Sequence, residues 1–141
     1  MVDLYVWKPS LALFRALEWR AAYRYRDLCR CPVLDLGCGD GEIHRLFLGD
    51  AGSVGIDVDA APLPMAKLFM KKVVQGDARQ LPFRTGTFGS ILGICAVEHL
   101  RDIDTCLTEA ARVLRPGGIL IATVPSSNWK TLYCWNRILS R

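Results

Sequence analysis

The sequence predicts an α/β domain built on a doubly wound, mainly parallel sheet. Three observations carry that reading. Strand-like apolar runs alternate with helical patterns through the middle of the chain. The first run, Val33 to Leu36, breaks into glycines at 37, 39 and 41 and then into a short helical pattern, Glu42 to Leu48. Phe88 to Val97 is continuously apolar without helical alternation, the pattern of a strand buried on both faces. Strands that alternate with helices join as parallel neighbours through right-handed crossovers.

The elements follow in order. Pro9-Ser10 is a helix start signal, with Ser10 as N-cap. Leu11, Phe14, Leu17, Ala21, Tyr25 and Leu28 recur at helical spacing, and the helix is expected to end near Cys31-Pro32. Strand one spans 33–36. Ser53 to Val58 reads as strand two, Pro62 to Met70 as a helix and Lys72 to Gln75 as strand three. Residues 78–87, with Pro82 and Gly86, read as loop before strand four. Asp102 can cap a helix carrying Ile103, Cys106, Leu107, Ala110, Val113 and Leu114, which Pro116-Gly117-Gly118 ends. Ile119 to Val124 is strand five. The expected organisation is a helical lead over 1–31, an α/β core over 32–125 and an amphipathic helix over 126–141.

Bulk properties narrow the class. The chain has 141 residues, enough for one domain with a real core. Its 51% hydrophobic and 23% charged residues are an ordinary globular balance. No apolar run approaches the roughly 18–20 residues that span a bilayer, and no signal peptide is visible behind Asp3 and Lys8. Six cysteines are scattered over a turn, a strand and helices, which favours reduced thiols and a cytoplasmic protein. Cys29-x-Cys31 lacks a second ligand pair, so no metal site is expected.

Net charge is +4, with basic flanks around a mildly acidic centre. The flanks could face an anionic acceptor, a membrane surface or nucleic acid, but solvated helix faces account for them without any partner. No nucleic-acid motif stands out.

The glycine turn carries the chemistry. Alternate glycines permit positive φ and remove Cβ atoms, so a ligand can lie against the backbone. Strand, glycine turn and helix in that order build a nucleotide site at the carboxyl end of the first strand. A dinucleotide fingerprint would need glycine at 42, where the chain has Glu42. Asp35, Asp40 and Glu42 bracket the turn and would repel a pyrophosphate. They suit a cationic ligand such as S-adenosylmethionine, which bears a sulfonium and an ammonium group.

Asp57, twenty residues beyond Gly37 at the end of strand two, stands where a carboxylate accepts both ribose hydroxyls; standing alone it would be a turn residue. Asp77, ending strand three, can accept from an adenine amino group or serve as a turn aspartate after Gly76. The Ala78 amide can donate to a ring nitrogen, and Val58 can cover the adenine face.

Four segments then resemble the class I S-adenosylmethionine-dependent methyltransferases, the group typified by small ubiquinone- and sterol-type enzymes. They are VLDLGCGDG at 33–41, VGIDVD at 54–59, GDARQLPFRTGTF at 76–88 with AVEHL at 96–100, and ARVLRPGGILIATVP at 111–125. The stretch PSLALFRALEWRA resembles the leading helix of bacterial members linked to glycan or lipid modification. The resemblance implies a Rossmann-like core with strand order 3-2-1-4-5. It implies that Asp35, Gly37 and Gly39 hold the methionine end, with Cys38 among the cofactor-binding residues of the turn. Asp57 would hold the ribose, and Asp77 with Ala78 the adenine. Ala96 and Val97, at the end of strand four, would line the sulfonium side. The acceptor would be a small molecule, lipid or glycan.

Two departures stand out. The family usually has Asp after the Phe that opens strand four, and here the pair is Phe88-Gly89. The family also has two strands beyond the fifth. Their absence is read as a fragment, a partner-completed acceptor site or a binding module without catalysis. His99, beside Glu98, is the candidate general base for a hydroxyl or acidic-carbon acceptor, or else a loop-holding histidine. His44 is expected to be exposed or structural. The basic, aromatic stretch with Trp129, Tyr133 and Trp135 could lie on a membrane, start sheet-closing structure or join a dimer over an exposed fifth strand. Burial against protein is the favoured reading.

If the acidic turn excludes pyrophosphate, Glu42→Gly should leave S-adenosylmethionine affinity nearly intact while admitting dinucleotides. Calorimetric titration with both ligands checks this. A tenfold or larger loss of S-adenosylmethionine binding would make Glu42 a direct ligand instead.

Overall fold

A computed structural model describes residues 9–49 and 52–124. The order along the chain is α1 (Pro9–Tyr23), β1 (Val33–Leu36), α2 (Glu42–Leu48), β2 (Val54–Asp57), α3 (Leu63–Ala66), β3 (Lys72–Gln75), β4 (Phe88–Gly93), α4 (Ile103–Val113) and β5 (Leu114–Ala122). Short 3-10 turns lie at Arg26–Leu28 and Val97–His99. The expected amphipathic helix over 126–141, with any membrane or dimer contact it would make, lies outside the described residues. No described helix is long and apolar enough to cross a membrane.

The five strands form one sheet in the order β3-β2-β1-β4-β5, and all four pairings are parallel. Every residue of β1 and β4 is buried, as the unbroken apolar runs require, whereas β3 at one edge has exposed ends and a half-buried middle. One face of the sheet packs Leu34, Ile56 and Ile91 against Cys106, Ala110 and Val113 of α4. The other packs Val33, Leu92 and Ile121 against Ala22 of α1 and Phe47 of α2. A smaller cluster of Cys38, Leu63, Ala66 and Met70 sits under the glycine turn.

Several boundaries differ from expectation. Pro9 already lies in α1, so Ser10 is inside the helix and does not cap it. The helix stops at Tyr23, eight residues before the expected Cys31, and the chain continues through the Arg26–Leu28 turn. Leu17, Tyr25 and Leu28 of the expected stripe are exposed, while Glu18 and Ala22 are buried. Tyr25 and Leu28 lie beyond the end of α1, and the helix meets the sheet through Ala22, with Trp19 packed beside it. Helix α3 is a single turn, shorter than Pro62 to Met70. Strand β4 ends at Gly93, and residues 94–96 form a turn.

Helix α4 ends at Val113, and β5 begins at once. Pro116-Gly117-Gly118 therefore lies inside the strand and does not break the helix. Leu114 pairs with Phe88 and Ile119 with Ser90, so four residues of β5 oppose one of β4 in a bulge, with Gly117 at φ +73°. Asp102 caps α4 as expected, its carboxylate accepting from the Thr105 amide and hydroxyl.

The long loop 78–87 is held from α4. Arg112 donates to the Leu81 and Phe83 carbonyls, and its partner Glu109 accepts from the Leu81 amide. Those bonds satisfy backbone groups that a loop without secondary structure leaves open.

The departure at Phe88-Gly89 is a matter of packing. A Cβ on Gly89 would sit 2.5 Å from the Arg30 carbonyl oxygen, which is backbone and cannot swing aside. Segment 30–32 is fastened there: the Gly89 amide donates to the Pro32 carbonyl and the Arg30 amide to Ser90 Oγ. Gly89→Ala should destabilise the fold by about 1–3 kcal/mol, the usual cost of overpacking. Urea unfolding with an unchanged m-value checks this; a midpoint equal to the wild type would show that segment 30–32 yields.

Candidate functional site

Strand order reverses between β1 and β4, which are neighbours in space although β2 and β3 intervene in sequence. Such a reversal opens a crevice beyond the strands' carboxyl ends. Two turns wall it. The first follows β1, with Gly37, Gly39 and Gly41 all at positive φ. The amides of Gly37 and Cys38 both donate to the Ile56 carbonyl, at 2.8 and 3.1 Å, and Gly41 closes the turn onto the Cys38 carbonyl. A Cβ on Gly37 would lie 2.6 Å from that of Ala96, so only glycine lets the turns meet. A Cβ on Gly39 would meet nothing within 4 Å, so that side of the turn is open.

Asp57 ties the arrangement together. One carboxylate oxygen accepts from the Gly39 amide at 2.8 Å, and the other from the Asp59 amide at 3.0 Å. Each oxygen retains lone pairs for a further donor. Val58 beside it is 69% exposed, an apolar face on open ground. Asp77 reaches the same edge of the sheet, but both of its oxygens are engaged by the Arg79 guanidinium, the shortest contact being 2.6 Å. Ala78 is buried in the core below.

Cys38 turns its side chain away from the crevice into the cluster with Met70. A Cβ on Gly55 would collide with both sulfurs, which locates the thiol below the turn. Its pKa is pushed up to about 12, by burial first and then by the charges of Asp35, Asp57 and Asp40. The thiol is therefore protonated at neutral pH and is no nucleophile. Asp35, Asp40 and Asp57 thus all lie close enough to the thiol to act on it.

The second turn, after β4, carries Ala96. Expectation placed Ala96 and Val97 at the strand's end, yet they lie three and four residues past it, beyond Cys95 at φ +56°. Two residues that sequence reasoning missed hold this turn. The Cys95 thiol donates to the buried Glu18 carboxylate at 2.7 Å, and the Cys95 amide donates to Thr123 Oγ1 at 2.8 Å. Nothing in the sequence marked Thr123.

His99 occupies the 3-10 turn that follows. Its side chain is 72% exposed, with Nε2 3.8 Å from Glu98. His44, expected to be exposed or structural, is fully buried: Nε2 lies 2.6 Å from Ser53 Oγ and Nδ1 3.4 Å from Asp35 Oδ2. A groove of about 280 Å³ runs between α1 and the end of β5, lined by Leu17, Glu18, Ala21, Ile121, Thr123 and Val124 among others. Among the described residues no cluster of three or more His, Cys, Asp or Glu side chains is arranged to hold a metal.

A methyltransferase-domain family model matches residues 34–122, from β1 through β5. The chain belongs to the class I S-adenosylmethionine-dependent methyltransferases. It is 33% identical over 110 residues to a ubiquinone biosynthesis O-methyltransferase of Bradyrhizobium sp. strain ORS 278, covering 70% of this chain and 42% of that protein. A fatty-acid O-methyltransferase of Mycolicibacterium smegmatis is 34% identical over 99 residues, 64% of this chain and 36% of its own length. Among solved structures, the YcgJ protein of Bacillus subtilis superposes with a TM-score of 0.64 at 25% identity, over 74% of this chain and 50% of that one. The methyltransferase domain thus spans less than half the length of these two curated relatives.

Asp77 and Arg79 give a titration test. The hydrogen bonds from the Arg79 guanidinium, and then from its amide, lower the Asp77 pKa to about 2. A lowered carboxylate pKa stabilises the fold above the ordinary range near ~4, and that contribution fades as pH falls through about 2. Carboxyl-carbon NMR should find Asp77 ionised down to about pH 2, with Arg79→Ala returning it to the ordinary range. An ordinary midpoint in the wild type would show that the ion pair does not persist in solution.

Proposed function

We propose that this chain binds S-adenosylmethionine in the crevice between the β1 and β4 turns and supports methyl transfer to a small apolar or lipid-like acceptor. The observation that carries the reading is the Asp57 carboxylate bonded to the Gly39 amide at the mouth of a turn that also bears Asp35 and Asp40. The residues present fit the cofactor. The open side of Gly39 admits its backbone-hugging methionine end, and Asp35, Asp40 and Asp57 favour a ligand with an ammonium group. Asp57 retains acceptor capacity for ribose hydroxyls, and exposed Val58 offers an apolar face to the adenine. Asp77 and the Ala78 amide complete the adenine end, with Arg79 fixing the Asp77 carboxylate.

When bound, the cofactor supplies a methyl group already activated by its sulfonium. The protein's part is to position and to exclude water. Ala96, brought against Gly37, narrows the crevice where the methyl must face its acceptor. The groove between α1 and β5 adjoins that turn through Glu18 and Thr123, and its mainly apolar wall suits an apolar acceptor. At about 280 Å³ it lies just under the usual ~300–1,000 Å³ of small-molecule clefts. The relatives named for ubiquinone biosynthesis and fatty-acid methylation support that acceptor class. For a hydroxyl acceptor, His99 is the exposed imidazole at the rim that would take the proton.

Calorimetric titration of the chain tests the reading. S-adenosylmethionine and its demethylated product should bind, and NAD should give no heat. Asp57→Ala should cost about 1.5–3 kcal/mol, the range for a hydrogen bond to a charged group, or roughly 10- to 150-fold in Kd. Unchanged affinity in that variant, or NAD binding of comparable strength, would overturn the assignment.

A further inference from the structure

His44 lies on α2, the helix that leaves the glycine turn, and only 1% of it is exposed. Its two ring nitrogens face two different strands. Nδ1 is 3.4 Å from Asp35 Oδ2 on β1, and Nε2 is 2.6 Å from the hydroxyl of Ser53, next to β2. Asp35 is 6% exposed and Ser53 fully buried. Nδ1 makes no hydrogen bond among the described residues, and the Asp35 carboxylate at 3.4 Å is the acceptor it faces. A carboxylate can only accept, whereas a serine hydroxyl can donate. The proton of a neutral ring therefore sits on Nδ1, toward Asp35, and Nε2 accepts from Ser53.

The trio has the members of a hydrolytic triad without its function. Ser53 Oγ is sealed from solvent, so no substrate can reach it. What the arrangement does is orient a carboxylate. Asp35 stands two residues before Gly37, and its charge acts on the neighbouring Cys38 thiol within the turn. A buried carboxylate without a donor is costly and swings toward whatever donor it finds. The imidazole removes that freedom, and Ser53 removes the freedom of the imidazole.

We infer that His44 is a positioning residue: with Ser53 behind it, it fixes the Asp35 carboxylate and thereby the charge that the glycine turn presents to the cationic end of the cofactor. The inference rests on the cofactor reading above. Asp35 shapes the field from beneath the turn, and His44 acts only through Asp35.

Two side-chain amides separate this role from simple core filling. His44→Asn places an N–H near the position of Nδ1 and preserves the Asp35 contact. His44→Gln places its amide near Nε2 and preserves the Ser53 contact. Both leave a polar group in the same pocket. With S-adenosylhomocysteine as the calorimetric probe, His44→Asn should bind within about threefold of the wild type, and His44→Gln at least tenfold more weakly. Urea unfolding midpoints of the two variants serve as the folding control. Nitrogen NMR of the wild-type imidazole should show the Nδ1-protonated tautomer. Equal affinities for the Asn and Gln variants, losses that follow unfolding midpoint alone, or an Nε2-protonated ring would overturn the inference while leaving cofactor binding intact. A wild-type chain that binds no S-adenosylhomocysteine would overturn both.

Discussion

The site depends on a hydrogen bond between the Asp57 carboxylate and the Gly39 amide, 18 residues apart in the chain. The β1 turn is a run of left-handed glycines, which by themselves are the most conformationally free residues available. Their freedom is removed from β2. The Ile56 carbonyl takes the amides of Gly37 and Cys38, and Asp57 takes that of Gly39. One strand end thus sets three successive amides of its neighbour. Because β1 and β2 pair in register from Leu34 opposite Val54, the turn inherits the precision of the sheet.

That same bond explains why the turn tolerates so much negative charge. Asp35, Asp40 and Asp57 lie near enough to one thiol to act on it together. Two have local donors, the Glu42 amide for Asp40 and the Gly39 and Asp59 amides for Asp57, and Asp35 has the His44 imidazole 3.4 Å away. Such donors lower the cost of a carboxylate in a low-dielectric setting, while its charge still acts over several ångströms. The turn therefore holds three carboxylates close together, which is what the proposed cationic ligand would need.

The sequence was most legible where a single element decides its own fate. The unbroken apolar run of β4 and the glycine pattern after β1 read directly as a doubly wound sheet, and β3 was placed to the residue. Boundaries set by tertiary contact were not. The stripe of Leu17, Tyr25 and Leu28 looked like the buried face of α1, yet the sheet accepts Ala22 and Glu18. Pro116-Gly117-Gly118 has the signature of a helix stop, but Leu114 already pairs with Phe88, so the three residues form a bulge inside β5. Asp57 was placed at the end of β2 and Asp77 just past β3, where both lie. Glu18, Thr123 and the buried state of His44 were not identifiable, since each gains meaning only from a partner far along the chain.

Burying a polar side chain is unfavourable unless it is hydrogen-bonded, so where a small domain does so is informative. Among the described residues the buried polar side chains are Glu18, Asp35, His44, Ser53 and Ser90. Ser90 fastens segment 30–32 to the start of β4. The other four serve the two turns at the opposite edge: Asp35, His44 and Ser53 beneath the glycine turn, and Glu18 behind the turn that carries Ala96. A reaction whose leaving group arrives already activated asks the protein mainly for position, and small displacements are costly in such a step. Turns held only by their own backbones drift, whereas turns cross-braced to neighbouring strands and helices do not. The polar groups are concentrated at the two turns, where the proposed displacement reaction would need rigidity most, while the rest of the described interior is left apolar.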